Sequence, residues 1–121
     1  MPDIFRAVRD EGLAMPDVEA ATKYDGSPVL KRGGSFMAGL ATHSSAEPGS
    51  LVVRTRVEER DSLIEDAPDT YYLTEYYRRH PVVLVRLARI DRGALRDLLA
   101  VSWRLTEAQM RRRRPTNRRI R

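Results

Sequence analysis

The run Val82-Val83-Leu84-Val85 restricts the fold more than any other stretch of this chain. Three valines and a leucine fit a pleated strand. Apolar side chains at four successive positions leave that strand no face suited to water, so it belongs inside a sheet covered on both sides at that point. Pro81 lacks an N–H and suits the strand's entrance. Beyond it the pattern alternates through Arg86, Leu87, Ala88, Arg89 and Ile90, which predicts a strand over residues 82–90. The tyrosines gather just upstream: Tyr71, Tyr72, Tyr76 and Tyr77 are four of the five in the chain, and Arg78-Arg79-His80 follows them. Basic groups beside aromatic rings can hold phosphate and stack on bases. The same residues also suit a core strand entered through a solvated turn.

The remaining elements are read from period and punctuation. Asp3 caps a helix over residues 3–15, with Ile4, Phe5, Val8 and Met15 at helical spacing, Gly12 weakening its middle and Pro16 ending it. Val18 to Lys23 is a first strand, closed by the turn cluster Asp25-Gly26-Ser27-Pro28. Val29 to Arg32 and Ser35 to Ala41 flank Gly33-Gly34, a two-residue hairpin signal that places Lys31 and Arg32 beside its tip. Thr42 to Ser50 is a loop, and Leu51 to Val57 a further strand with Arg54 and Arg56 on one face. Glu58 to Ala67 is a short helix; acids in its first turn favour the helix dipole, and no calcium-loop spacing accompanies them. Asp91 caps a last helix from Arg92 to about Met110, with Leu95, Leu98, Leu99, Ser102, Trp103 and Leu105 on its inner side.

At 121 residues the chain is one domain, residues 1–110, followed by a disordered arginine-rich tail, residues 111–121. The tail holds seven arginines and no acid, so the net charge of +5 hides a domain that is −2 without it. There is no cysteine, which excludes disulfides, thiolate metal sites and a cysteine nucleophile. No apolar run has the length of a membrane helix, and the N-terminus lacks an apolar signal region, so a cytoplasmic protein without membrane contact is expected. His43 lies beside Ser44 and Ser45, but no nucleophile elbow surrounds any serine. No phosphate loop, dinucleotide fingerprint or metal triad occurs either, so no enzyme, no catalytic residue, no metal and no cofactor are expected.

Three stretches resemble the MmcQ/YjbR family of small bacterial proteins. The first is Leu13-Ala14-Met15-Pro16-Asp17-Val18-Glu19 with Tyr24, Pro28, Lys31, Gly34 and Phe36. The second is Val57-Glu58-Glu59-Arg60 with Asp66-Ala67-Pro68-Asp69-Thr70-Tyr71-Tyr72. The third is Tyr77, His80-Pro81, Val83 to Leu87, and Leu95 with Ser102-Trp103-Arg104-Leu105. The resemblance covers about residues 4 to 108 and implies an α+β fold of the frataxin (CyaY-like) type. In it an antiparallel sheet carries N- and C-terminal helices on one face and a short helix between strands. It also implies DNA binding through a winged hairpin, which carries over to Lys31 and Arg32 and, around the central strand, to Arg78, Arg79 and Arg86. Many members have a tryptophan early in that strand; Val82-Val83 stands here instead, which leaves base stacking to the tyrosines.

Two functions follow. The first is a non-enzymatic DNA-binding protein that uses Lys31, Arg32, Arg78, Arg79 and Arg86 together with the tail residues Arg111, Arg112, Arg113, Arg114, Arg118 and Arg119. The second is a protein-interaction or ligand-sensing module that uses an open sheet face bearing Tyr71, Tyr72, Tyr76 and Tyr77. An iron-handling role, by analogy with frataxin-like folds, is disfavoured because arginines dilute the acids of the first helix.

Overall fold

The computed structural model describes residues 3–113. In chain order its elements are α1 (Arg6–Leu13), β1 (Val18–Thr22), β2 (Pro28–Arg32), β3 (Ser35–Leu40), β4 (Ser50–Arg54), α2 (Val57–Asp66), β5 (Tyr71–Tyr72), α3 (Glu75–Arg78), β6 (Val82–Arg86) and α4 (Arg92–Arg113). The strands form one sheet in the order β1-β2-β3-β4-β6-β5, antiparallel at every pairing. The fold is α+β.

Strand β6 lies inside the sheet and is covered on both faces, as its composition requires. Val83 and Val85 point to one side, into a core with Phe5, Val8, Leu30, Met37, Leu51, Val53, Leu95 and Leu99. Val82 and Leu84 point to the other, where they meet Val52 and Tyr77. The first core lies under α1 and α4, with Leu63 and Ile64 of α2 packed against it. The second lies under α3 and the loop that follows β3.

The hairpin between β2 and β3 turns on Gly33 and Gly34, at φ +56° and +80°, the left-handed pair that a two-residue turn demands. Its ladder shifts between Leu30↔Ala38 and Lys31↔Phe36, so Met37 is the extra residue of a bulge. Met37 and Ala38 are thereby both turned into the helix-side core. The N-terminal helix is anchored by Asp3, whose carboxylate accepts from the Phe5 N–H at 3.1 Å. Helix α1 lies so close to β2 that a Cβ at Gly12 would sit 2.3 Å from Leu30 Cδ1. Glu11 accepts from Nε of both Arg92 and Arg96 at 3.0 Å and so ties α1 to α4.

Three expectations are corrected and one helix is added. Strand β6 ends at Arg86, because residues 87–89 form a turn closed by Arg89 N–H on the Arg86 carbonyl, 2.9 Å. Strand β4 ends at Arg54, and Val57 opens α2, where Glu58 and Glu59 favour the helix dipole. Arg54 and Arg56 therefore do not share a strand face. The N- and C-terminal helices share one face as expected, and residues 75–78 add a further helix, α3, on the opposite side, capped by Thr74. The last helix runs through Arg113, three residues past the expected boundary at Met110.

Candidate functional site

On the face opposite α1 and α4, α3 covers β6 but leaves a groove of about 750 Å³ that follows β3. At one end stand Gly34, Arg54, Pro81 and Gln109; at the other stand Thr42 and Tyr24. Phe36, Val52 and Val82 supply the sheet's contribution, and Tyr76, Tyr77, His80 and His43 form an aromatic side.

That aromatic side is held in place by its own bonds. His43 stacks on Tyr76 with centroids 3.5 Å apart and planes 10° from parallel. Tyr77 stands edge-on to both rings. Its hydroxyl accepts from the His43 N–H at 3.2 Å. His43 Nδ1 accepts from the Ser45 N–H at 3.1 Å, so the neutral ring carries its proton on Nε2. Ser45 Oγ lies 2.9 Å from Thr74 Oγ1, the cap of α3, and so joins loop and helix. Tyr76 nevertheless remains 44% exposed, and Tyr24 is fully exposed. The groove is a preformed aromatic surface with polar edges, fit to stack on flat rings and to hydrogen-bond their rims.

The cations expected to serve it are divided by the fold. Arg32 is buried, 7% exposed, with its guanidinium 3.9 Å over the Trp103 ring and 3.8 Å from carboxylate oxygens of both Asp17 and Glu107. It is not a solvated hairpin tip, because the strand turns its side chain toward α4. Lys31 lies on the opposite face, paired across the ladder with Phe36 of the groove and with Glu19. Arg86 makes a two-pronged ion pair with Glu47 at 2.8 and 2.9 Å and lies 4.3 Å over the Tyr72 ring. The Glu47 bond raises the pKa of Arg86, and the same bond holds the Glu47 carboxyl below its usual range. Arg78 pairs with Glu75 at 3.3 Å, whereas Arg79 is exposed and has no ion-pair partner among the described residues. Arg111, Arg112 and Arg113 occupy the last turn of α4, beginning two residues after Gln109 of the groove; Arg114, Arg118 and Arg119 lie outside the described residues.

The tyrosines are divided as well. Tyr71 and Tyr72 are neighbours on β5 and so point to opposite faces. Tyr71 is buried in the helix-side core, while Tyr72 accepts from the Glu47 N–H at 2.8 Å. Only Tyr76 and Tyr77 of the four line the groove. Tyr24, Phe36, His43, Arg54 and Gln109 were not expected there; they come from five separate segments, and only pairing of the strands brings them together. Among the described residues no group of three or more His, Asp or Glu side chains is placed to hold a metal ion. No described helix is long and apolar enough to cross a membrane.

Residues 13–105 match the YjbR family model. The chain belongs to the YjbR family. The matched span takes in every strand, α2 and α3, and it stops before Gln109 and the arginines of α4. Among curated proteins the chain is similar to the uncharacterised proteins Mb2600 of Mycobacterium bovis and Rv2570 of Mycobacterium tuberculosis, each 34% identical over 67 residues. That alignment covers 53% of this chain and 52% of each relative, so the chain spans about half the length of the curated relatives it matches. No solved structure matches it with significance.

Proposed function

We propose that this YjbR-family chain binds DNA, and that the groove along β3 takes unpaired bases. The observation that carries the reading is the placement of Gln109: the helix that ends in Arg111, Arg112 and Arg113 lines the same groove as the exposed Tyr76 and Tyr24. Aromatic faces stack on bases of any sequence, and cations alongside neutralise the backbone. Arg79, exposed one residue before the groove-lining His80, supplies a second phosphate contact. Arg32 and Arg86 have structural roles in this account. The net acidity of residues 1–110 limits long-range attraction to the arginine end of α4 and the residues beyond it.

Fluorescence anisotropy with a labelled single strand of about 12 nucleotides tests this. Stacking is worth about 1–3 kcal/mol per base, so Tyr76→Ala should weaken binding about 5- to 150-fold. Arg79→Ala should lower the salt slope by about 0.7. Full affinity in Tyr76→Ala and Tyr24→Ala, or no binding at about 50 mM salt, would defeat the reading. Equal binding of duplex and single strand would remove the groove from it.

A further inference from the structure

A second groove, unrelated to the first, lies on the helix side of the sheet. Helix α2 packs on β5 and β6 and stands away from α4, leaving about 530 Å³ between the two helices. On α4 the stripe Ala94, Asp97, Leu98, Val101 faces this space at helical spacing, and Leu63 faces it from α2. The floor is therefore apolar. The rim is acidic: Glu58, Glu59, Asp66 and Asp97 all line it, and of these only Glu59 has an ion-pair partner among the described residues, Arg56 at 3.5 Å. The volume falls within the range of small-molecule sites, about 300–1,000 Å³.

One observation lifts this above an acidic surface. Thr55 lines the groove and is 1% exposed, yet its Oγ1 is buried with no hydrogen-bond partner. A buried hydroxyl without a partner is destabilising, and this one belongs to a residue of the cleft lining. Tyr71 also lines the same space. Burial first, then the carboxylates of Asp91 and Asp97, push its pKa up, so the phenol keeps its proton at neutral pH.

We propose that the cleft between α2 and α4 binds a small organic amine: a protonated nitrogen held by Asp97 and its neighbouring carboxylates, a polar atom met by Thr55, and an apolar body on Leu63, Leu98 and Val101. A cation is selected because four carboxylates face the space without a lining arginine or lysine. An apolar body is selected because the floor offers side-chain carbon. A metal ion does not fit, since among the described residues no three acids converge on one point.

The test uses the full chain, labelled with nitrogen-15, titrated with phenethylamine and followed by amide shifts. Saturable shifts should appear at Ser62, Leu63, Ala94 and Leu98, with Asp97→Asn weakening binding about tenfold. Thr55→Val should weaken the amine several-fold while raising the melting temperature of the free protein, since it removes an unpartnered hydroxyl and keeps the shape. A purely structural threonine would not give that opposite pair of effects. The proposal fails if phenylpropionate, the matched anion, shifts the same amides as strongly, or if argininamide, a cation without the apolar body, competes equally well. It also fails if nothing saturates by about 10 mM. Shifts confined to Tyr76 and His43 would place the amine in the other groove and overturn this site while leaving the DNA reading untouched.

Discussion

Replacing Gly12 with alanine sets two effects of opposite sign against each other. Helix α1 gains propensity, since alanine is favoured over glycine in a helix interior by about 1 kcal/mol. Against that, the new Cβ would stand 2.3 Å from Leu30 Cδ1 and 3.4 Å from two further carbons of the same side chain. Leu30 is 0% exposed and belongs to the helix-side core, so its end cannot swing aside without pressing on packed neighbours. Such overpacking costs about 1–3 kcal/mol. The net expectation is a loss of up to about 2 kcal/mol, read as a fall of up to about 10 °C in the thermal midpoint. Circular dichroism melts of the wild type, Gly12→Ala, Leu30→Ala and the double variant form a cycle. The truncated Leu30 makes room, so alanine at 12 should be harmless or stabilising in the Leu30→Ala background, with coupling of 1 kcal/mol or more on the order expected for touching residues. A Gly12→Ala protein that melts higher than the wild type would refute the close-approach argument and leave helix propensity as the governing effect.

Arg32→Met keeps the volume on Trp103 and removes a buried charge whose Nε and Nη1 lack hydrogen-bond partners, so stability should hold or rise, whereas Arg32→Ala should lose about 2–4 kcal/mol by urea melts. Neither should alter DNA affinity if Arg32 is structural. The hydrogen bonds from Arg96 and then Arg92 lower the pKa of Glu11, so its contribution is complete above the ordinary carboxylate pKa and disappears as pH falls through the lowered folded value. Glu11→Gln should therefore destabilise near neutrality and flatten the acid limb of a stability–pH curve. Truncation after Arg113 removes four arginines, and the salt slope for single-stranded DNA should fall by about 3 while the melt is unchanged. A large drop in melting temperature would mean the removed segment packs on the domain.

Through its family resemblance the sequence implied the α+β class; its own residues determined the buried strand at Val82–Val85, the glycine turn and the helices at either end. Each rests on a local rule: apolar periodicity, the positive φ that glycine supplies, or a cap. Residues 75–78 were missed as a helix because four residues are too few to show a period. The end of β4 was misplaced because Thr55-Arg56-Val57 continues an alternating pattern that the acids of α2 interrupt only afterwards. Sequence order also suggested that four tyrosines make one surface and that Arg32 and Arg86 contact DNA. Tertiary structure decided otherwise, since a strand sends neighbours to opposite faces and so separates Tyr71 from Tyr72. It placed Trp103, from the far end of the chain, against the Arg32 guanidinium. It set Gly12, which the sequence marks only as a weak point in a helix, where a Cβ would press on the end of Leu30. Both grooves are likewise products of assembly: each is lined from segments distant in the chain, and such distances close only when strands pair and helices dock, which no local pattern encodes.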